Sequence, residues 1–401
     1  MRHICCLLLA VISSVLFSPS GRAQTAIATP RGTIVAVPSN QAQTPGGPRT
    51  SLYVFVPENT TGVNQVGNGE TPASIACIYG VTPFTPGCPK NGTIIPTGGS
   101  LAIAVVVYGH YPAMQADLNT FNAHFGLPAT TITEICTAGC PNNVGTGWDL
   151  ETVADVEWVH ALAPQAQIYI VEYGINPLTD GAETLAGQAV AAAGGGEVSN
   201  GWGYPESSTE SSLDGLFTTP SVVYFAAAGN SALVTQYPSV SPNVVSAGGT
   251  SISRNGSGNF LGESCWSTSG GGLSAFEPIP AYQNVVNYAV GTARGTPDLS
   301  AVADPTTGVE VYGSLTTCAG WCVVGGTDVS SAILAALTNG SGSFRTSTLA
   351  ELTQIYNVNY ATAYSTYYND ITTGTNGWPG GASLKWDGCT GLGTTKDPSG
   401  F

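Results

Sequence analysis

The chain has 401 residues, 42% of them hydrophobic and 9% charged, with 10 Lys and Arg against 25 Asp and Glu for a formal net charge of −15. So acidic a chain is excluded from binding nucleic acid through phosphate contacts. Beyond the first residues no apolar run is long enough for a transmembrane helix.

In chain order, Arg2 and His3 precede an apolar stretch, Ile4 to Phe17, and Gly21-Arg22-Ala23 offers small residues for cleavage. Residues 1–23 therefore read as a secretory signal, too short in its apolar part to serve as an anchor. An exported protein is expected, extracellular or periplasmic, and without these residues the chain keeps eight basic residues and a charge of −17. Residues 24–50 are rich in Pro, Gly, Thr and Gln and read as a flexible leader. Residues 51–401 then alternate short branched-aliphatic runs with helical patterns. The spacing predicts strands at Leu101–Tyr108, Gln167–Tyr173, Val222–Ala228 and Asn243–Ala247, and helices at Met114–Phe125, Glu151–Leu162, Thr184–Ala193 and Val329–Leu337. Such alternation predicts an α/β fold, a central and mostly parallel sheet with helices on both faces.

Cys5 and Cys6 fall in the signal. Eight cysteines remain, an even number that in an exported chain favours disulfides. Near-neighbour pairing gives Cys77–Cys88, Cys136–Cys140 and Cys318–Cys322, leaving Cys265 with Cys389. Zinc ligation by Cys136/Cys140 and Cys318/Cys322 is the alternative their spacing allows.

Three patterns carry chemistry. Glu151 and Asp155 lie four apart, on one face of a helix, where each carboxylate raises the proton affinity of the other if the face is buried. Such a pair serves as a general base or acid at a pH where histidine is already protonated. Phe225-Ala-Ala-Ala-Gly229-Asn230 is an apolar strand ending in Gly-Asn, at the carboxyl edge where parallel sheets bind ligands, and an amide there can donate to an oxyanion. Gly325-Gly326-Thr327-Asp328 leads into an apolar helix, an arrangement that presents one side chain at a helix N-terminus, although Asp328 alone also reads as an N-cap.

The surroundings of these residues resemble the sedolisin (serine-carboxyl peptidase) family over roughly residues 50–393. The resemblance is carried by Thr71-Pro-Ala-Ser-Ile-Ala-Cys-Ile-Tyr-Gly80, Asp117-Leu-Asn-Thr-Phe121, Phe125-Gly-Leu-Pro128 and Glu151-Thr-Val-Ala-Asp155-Val-Glu-Trp-Val-His-Ala-Leu-Ala-Pro164. Gly201-Trp-Gly-Tyr204, Tyr237-Pro-Ser-Val-Ser-Pro-Asn-Val244 and Gly295-Thr-Pro-Asp-Leu-Ser300-Ala-Val-Ala-Asp-Pro305 extend it. It implies a subtilisin-like fold and a Ser-Glu-Asp mechanism. Glu151 falls on the family's general base and Asp155 on its supporting acid, whereas the oxyanion-side Asp is replaced by Asn230 and the nucleophilic Ser by Asp328. The amide is a tolerable replacement. The carboxylate is not, because it has no hydroxyl to activate and brings negative charge where an oxyanion forms. Ser330 and Ser331 lie nearby but point along the helix. The three histidines of the mature chain, His110, His124 and His160, do not suggest a Ser-His-Asp substitute.

Asp370-Ile371 and Trp386-Asp387-Gly-Cys-Thr-Gly-Leu-Gly393 resemble the family's C-terminal calcium motif. One structural calcium ion is implied, held by Asp370, Asp387 and carbonyls of Ile371, Ser383 and Lys385, the last two at positions where the family often has glycine. The leader is also far shorter than the prodomain usual in family zymogens, which fits a homologue with nothing to block. The reading is a secreted sedolisin-like endopeptidase homologue, impaired or inactive through Asp328, with a peptide or protein in its cleft, and a monomer. The alternatives are an acid endopeptidase using a nearby Ser or the cluster of Glu151, Asp155 and Asp328, which could also take a divalent metal, and a non-catalytic peptide-binding module.

Overall fold

The computed structural model describes residues 16–17, 23–24, 26–29, 32–37, 47–57, 67–137 and 139–401. Most of the segment read as a signal lies outside these. Seven strands form the parallel core: β1 (Ala102–Tyr108), β2 (Ile132–Cys136), β3 (Gln167–Tyr173), β4 (Gly196–Asn200), β5 (Val222–Ala227), β6 (Val245–Arg254) and β7 (Leu299–Val302). Their spatial order is β7-β6-β5-β4-β1-β3-β2, with every one of these neighbours parallel. Thr394–Thr395, Tyr368–Asn369 and Phe260–Cys265 extend the sheet.

Four helices cover it: α1 (Met114–Phe125), α2 (Trp148–Leu162), α3 (Ala182–Ala192) and α4 (Thr327–Ser341). The alternation of β1 assigns their faces. Ile103, Val105 and Val107 pack with α2 and α4, while Ala102, Ala104 and Val106 pack with Ala182, Ala186 and Val190 of α3. Both faces of the sheet are thereby buried, as an all-parallel core requires. Helix α4 is buried from Thr327 to Asn339, which is why its sequence lacks a polar face. Among the described residues no helix is long and apolar enough to cross a membrane.

The expected strands and helices are present, with two informative differences. Helix α2 begins three residues earlier than read, because Asp149 accepts from the N–H groups of Gly145 and Gly147, 2.7 and 3.0 Å away, and fixes the helix start. Glu151 and Asp155 therefore lie within the buried helix rather than Glu151 opening it. The second difference corrects the leader. Ala26–Thr29 and Gly32–Val37 form an antiparallel hairpin, and the latter pairs with Leu52–Pro57. Averaged over 24–50 the composition is that of a linker, but Gly32-Thr-Ile-Val-Ala-Val37 is a local run of strand formers. Leu52–Pro57 pairs in turn with Gly320–Gly325, so the chain's N-terminal part is laid against the strand that feeds Asp328.

All four expected disulfides are present: Cys77–Cys88, Cys136–Cys140, Cys265–Cys389 and Cys318–Cys322. The Pro-Asp-Leu-Ser motif has a structural task. Asp298 and Arg294 are fully buried and joined by two contacts of 2.6 and 2.7 Å. Asp298 also accepts from Ser246 N–H at 2.8 Å and Tyr356 hydroxyl at 2.8 Å, tying the start of β7 to β6. Truncating Asp298→Ala strands the guanidinium in the core and should cost about 3–5 kcal/mol in urea unfolding; a loss under about 1 kcal/mol would show that Arg294 finds other partners.

Candidate active site

Three elements deliver the site. Helix α2 supplies Glu151 and Asp155 one turn apart, the loop after β5 supplies Asn230, and the turn Gly325–Gly326 feeds Thr327 and Asp328 into the first turn of α4. All three carboxyl groups are fully buried. They converge on Gly201, just after β4. A Cβ built there would lie 2.8 Å from Glu151 Oε1, 3.0 Å from Asp155 Oδ2 and 3.0 Å from Asp328 Cβ. Only a glycine leaves room for this meeting.

Among the described residues, no hydrogen bond of ordinary geometry reaches any of the six carboxyl oxygens. Burial without a counter-charge disfavours ionisation, and proximity adds repulsion. Glu151 is held well above the usual carboxyl range by burial and then by the charge of Asp328, with the Thr50 hydroxyl pulling weakly the other way. Asp155 is raised by burial, then by Glu151 and Asp328. Burial pushes Asp328 up to about 8, against the backbone N–H groups of Val329 and its own at the helix start. Burial and mutual repulsion thus favour the protonated form of all three groups. Three neighbouring anions would otherwise sit in a dry site.

Among the described residues, the groups of three or more metal-ligating side chains whose donor atoms lie within 4.8 Å of one another do not include Glu151, Asp155 and Asp328. In this arrangement the three carboxyl groups are therefore not drawn together around a common ion position.

Asn230 does not present a free amide. Its side-chain N–H donates to the backbone carbonyl of Ser51, and its oxygen accepts from Thr327 N–H and Thr327 hydroxyl at 3.0 and 3.1 Å. Sequence reading missed the segment that causes this. Arg49–Thr50 pairs antiparallel with Trp202–Gly203, and Ser51 N–H reaches Gly201 carbonyl at 3.4 Å. A Cβ at Gly326, where φ is +132°, would collide with the Ser51 carbonyl oxygen. The chain's own residues 49–51 therefore run as an extended strand across the carboxyl cluster and close it from solvent. A cavity of about 220 Å³ remains beside this strand, lined in part by Arg49, Tyr53, Tyr204, Glu206, Asn230 and Gln236.

The nearby serines are engaged elsewhere. Ser330 hydroxyl donates to Gly248 carbonyl at 2.6 Å and accepts from Ala301 N–H, and Ser331 hydroxyl meets Ser199 hydroxyl at 2.9 Å. His160 bonds Pro128 carbonyl at 2.9 Å, and His124 packs on Phe125 and Trp321, so both are packing residues.

No protein-family model matches the chain. Kumamolisin of Bacillus sp. (strain MN-32) is 28% identical to it over 324 residues, 70% of this chain and 56% of the relative. Sedolisin of Pseudomonas sp. (strain 101) is 26% identical over 345 residues, 75% of this chain and 57% of the relative. Among solved structures, Pseudomonas sedolisin (serine-carboxyl proteinase), complexed with two molecules of pseudo-iodotyrostatin, superposes with a TM-score of 0.68 at 21% identity. That likeness covers 83% of this chain and 96% of the other. The chain is similar in sequence and in fold to members of the sedolisin family. It spans a little over half the length of the curated relatives it matches.

The C-terminal loop is held by its carboxylates. Lys385 N–H lies 3.0 Å from both oxygens of Asp370, while Asp387 accepts from Ser383 N–H, Cys389 N–H and Thr390 N–H, each at 2.9 Å. Both acids thus meet one loop, with Ile371 buried beside them. Lys385 is left-handed, with φ at +69°, the conformation that explains why glycine suits this position.

The buried acids set the pH dependence of stability. Unfolded, these carboxyls ionise near pH 4. Folded, Asp328 keeps its proton to about 8, as do the buried Glu183 and Glu351. The folded state therefore binds more protons across that window, so stability is full below it and falls as pH rises. Melting temperatures should decline from pH 4 to pH 8. Asp328→Asn should reduce the slope by about 1.4 kcal/mol per pH unit; parallel profiles for the two proteins would mean that Asp328 is ionised when folded.

Proposed function

We propose that this chain is an exported, sedolisin-type peptide-binding scaffold without serine-peptidase chemistry. The observation that carries the reading is Asp328 at the start of α4, beside Glu151 and Asp155, with no hydroxyl free to replace it. In the Ser-Glu-Asp scheme implied by the resemblance, Glu151 would take a hydroxyl proton, Asp155 would support it and Asn230 would donate to the oxyanion. A neutral Asp328 carboxyl is a feeble nucleophile, and its attack on an amide would give a mixed anhydride less stable than the bond broken. Loss of a triad nucleophile typically removes on the order of 10⁶-fold in rate.

Peptide binding is supported by the chain itself. Residues 49–51 lie antiparallel to Trp202–Gly203 with the Ser51 carbonyl on the Asn230 amide, which is how an extended ligand strand would add to this edge. The similar Pseudomonas sedolisin, complexed with pseudo-iodotyrostatin, supports a ligand cleft on this scaffold. Peptide hydrolysis by a water molecule activated at the carboxyl cluster is less favoured, because the cluster is fully buried.

Restoring the hydroxyl tests the reading. The wild-type protein should leave casein and fluorogenic peptides intact between pH 2 and 7, whereas Asp328→Ser should gain cleavage that Glu151→Ala abolishes. The first bond cut in the variant should be Ser51–Leu52, seen by mass spectrometry as a new N-terminus at Leu52. Wild-type cleavage that disappears in Glu151→Ala would refute the proposal.

We also propose one structural calcium ion at the C-terminal loop, held by Asp370, Asp387 and carbonyls of Ile371, Ser383 and Lys385. Two carboxylates meeting one loop support it, since a hard cation favours such oxygen donors. Its role would be to neutralise the pair and lock the loop. Excess chelator should lower the melting temperature of the wild type by a few degrees and leave Asp387→Asn unmoved; an unmoved wild type would remove the ion from the account.

A further inference from the structure

A second cluster lies at the far edge of the parallel sheet and has no part in the reading above. His110 follows β1, Glu172 lies near the end of β3 and Glu134 lies within β2, so three successive strands in space each contribute one side chain. His110 Nδ1 is 2.8 Å from Glu172 Oε1 and 3.7 Å from Glu134 Oε2. The donor atoms of all three lie within 4.8 Å of one another. We propose that His110, Glu134 and Glu172 form a binding site for a divalent transition-metal ion of the zinc class.

Three observations carry this. The first is the donor set: one imidazole nitrogen and two carboxylate oxygens suit zinc, which binds both at about 2.0–2.2 Å. Small side-chain movements close the remaining gaps, and Glu134, with 36% of its side chain exposed, is free to make them. The second is charge. Glu172 has only 3% of its side chain exposed, and among the described residues its ion pair and that of Glu134 are both with His110. A protonated imidazole balances one of the two carboxylates. A divalent ion on neutral imidazole balances both, and the Nδ1 lone pair becomes the ligand.

The third is preorganisation. His110 N–H bonds Pro141 carbonyl at 2.7 Å and its carbonyl accepts from Asn143 N–H at 3.0 Å. Thr137 N–H bonds Glu172 carbonyl at 2.9 Å, and the Cys136–Cys140 disulfide closes the loop between them. The backbone that carries two of the ligands is fixed before any ion arrives. The side chain of His110 is 38% exposed, which leaves an entry path and coordination positions for water. The site also has a structural consequence. Asn143 links this loop to Tyr108 carbonyl at 2.9 Å and to Thr152 hydroxyl at 3.4 Å, and Thr152 lies between Glu151 and Asp155 on α2. An ion here would brace the loop that enters the helix of the carboxyl cluster.

Zinc titrated calorimetrically into the chelator-treated, dialysed full chain tests the proposal. One ion should bind per chain and raise the melting temperature, and excess calcium should not displace it. His110→Ala and Glu134→Gln should each weaken zinc at least about tenfold. Asp387→Asn, in the C-terminal loop, should leave zinc binding unchanged. Glu134→Gln, on a half-exposed side chain, keeps the test valid should His110→Ala fail to fold. Absence of zinc uptake, or affinity unchanged in Glu134→Gln, would overturn the proposal and leave an ion pair only.

Discussion

Three carboxyl groups meeting in a dry interior form the constraint on which this structure turns. Glu151, Asp155 and Asp328 reach the same point from two helices, and the glycine between them admits no side chain. Burial and their mutual repulsion raise the proton affinity of all three. The site is therefore an acidic protein's interior made neutral, stable where carboxyls are protonated and strained where they are not. The same logic extends to Glu183, Glu197 and Glu351, buried in the sheet's surroundings with raised proton affinity.

That constraint connects the fold to the chemistry. A parallel sheet with α2 and α4 packed on one face brings a mid-helix pair opposite a helix start, an arrangement in which a hydroxyl at position 328 would stand beside Glu151. With an aspartate there, three carboxyl groups meet, and burial raises the proton affinity of each. The N-terminal strand then seals it: Leu52–Pro57 is hydrogen-bonded to the strand leading into Asp328, which draws Ser51 over Gly326 and onto the Asn230 amide.

Much of this was legible in the sequence, for identifiable reasons. The strands of branched aliphatics and the four long helices are strong periodic signals, and the even cysteine count with close spacings gave the disulfides. Glu151, Asp155, Asn230 and Asp328 were found through motif context, and the structure brings them together. What the sequence hid was whatever depends on distant pairing. β4, Gly-Glu-Val-Ser-Asn, is not apolar and is absent from the expected strands, yet it is central because strands pair with it on both sides. The hairpin at residues 26–37 was masked by the linker-like composition around it. Residues 49–51 have no local signature, since their importance comes from pairing with a segment over a hundred residues away, and Gly201, although part of a recognised motif, owes its role to Glu151, Asp155 and Asp328. His110, Glu134 and Glu172 are likewise joined only by strand order.

The protonation state of Asp328 tests the central claim most directly. Carbon-13 NMR of the labelled aspartate carboxyl, assigned by comparison with Asp328→Asn, reads it without recourse to activity or unfolding. The account requires that resonance to remain that of a neutral acid at pH 6 and to titrate near pH 8. A resonance already ionised at pH 6, titrating in the ordinary carboxyl range near pH 4, would contradict it.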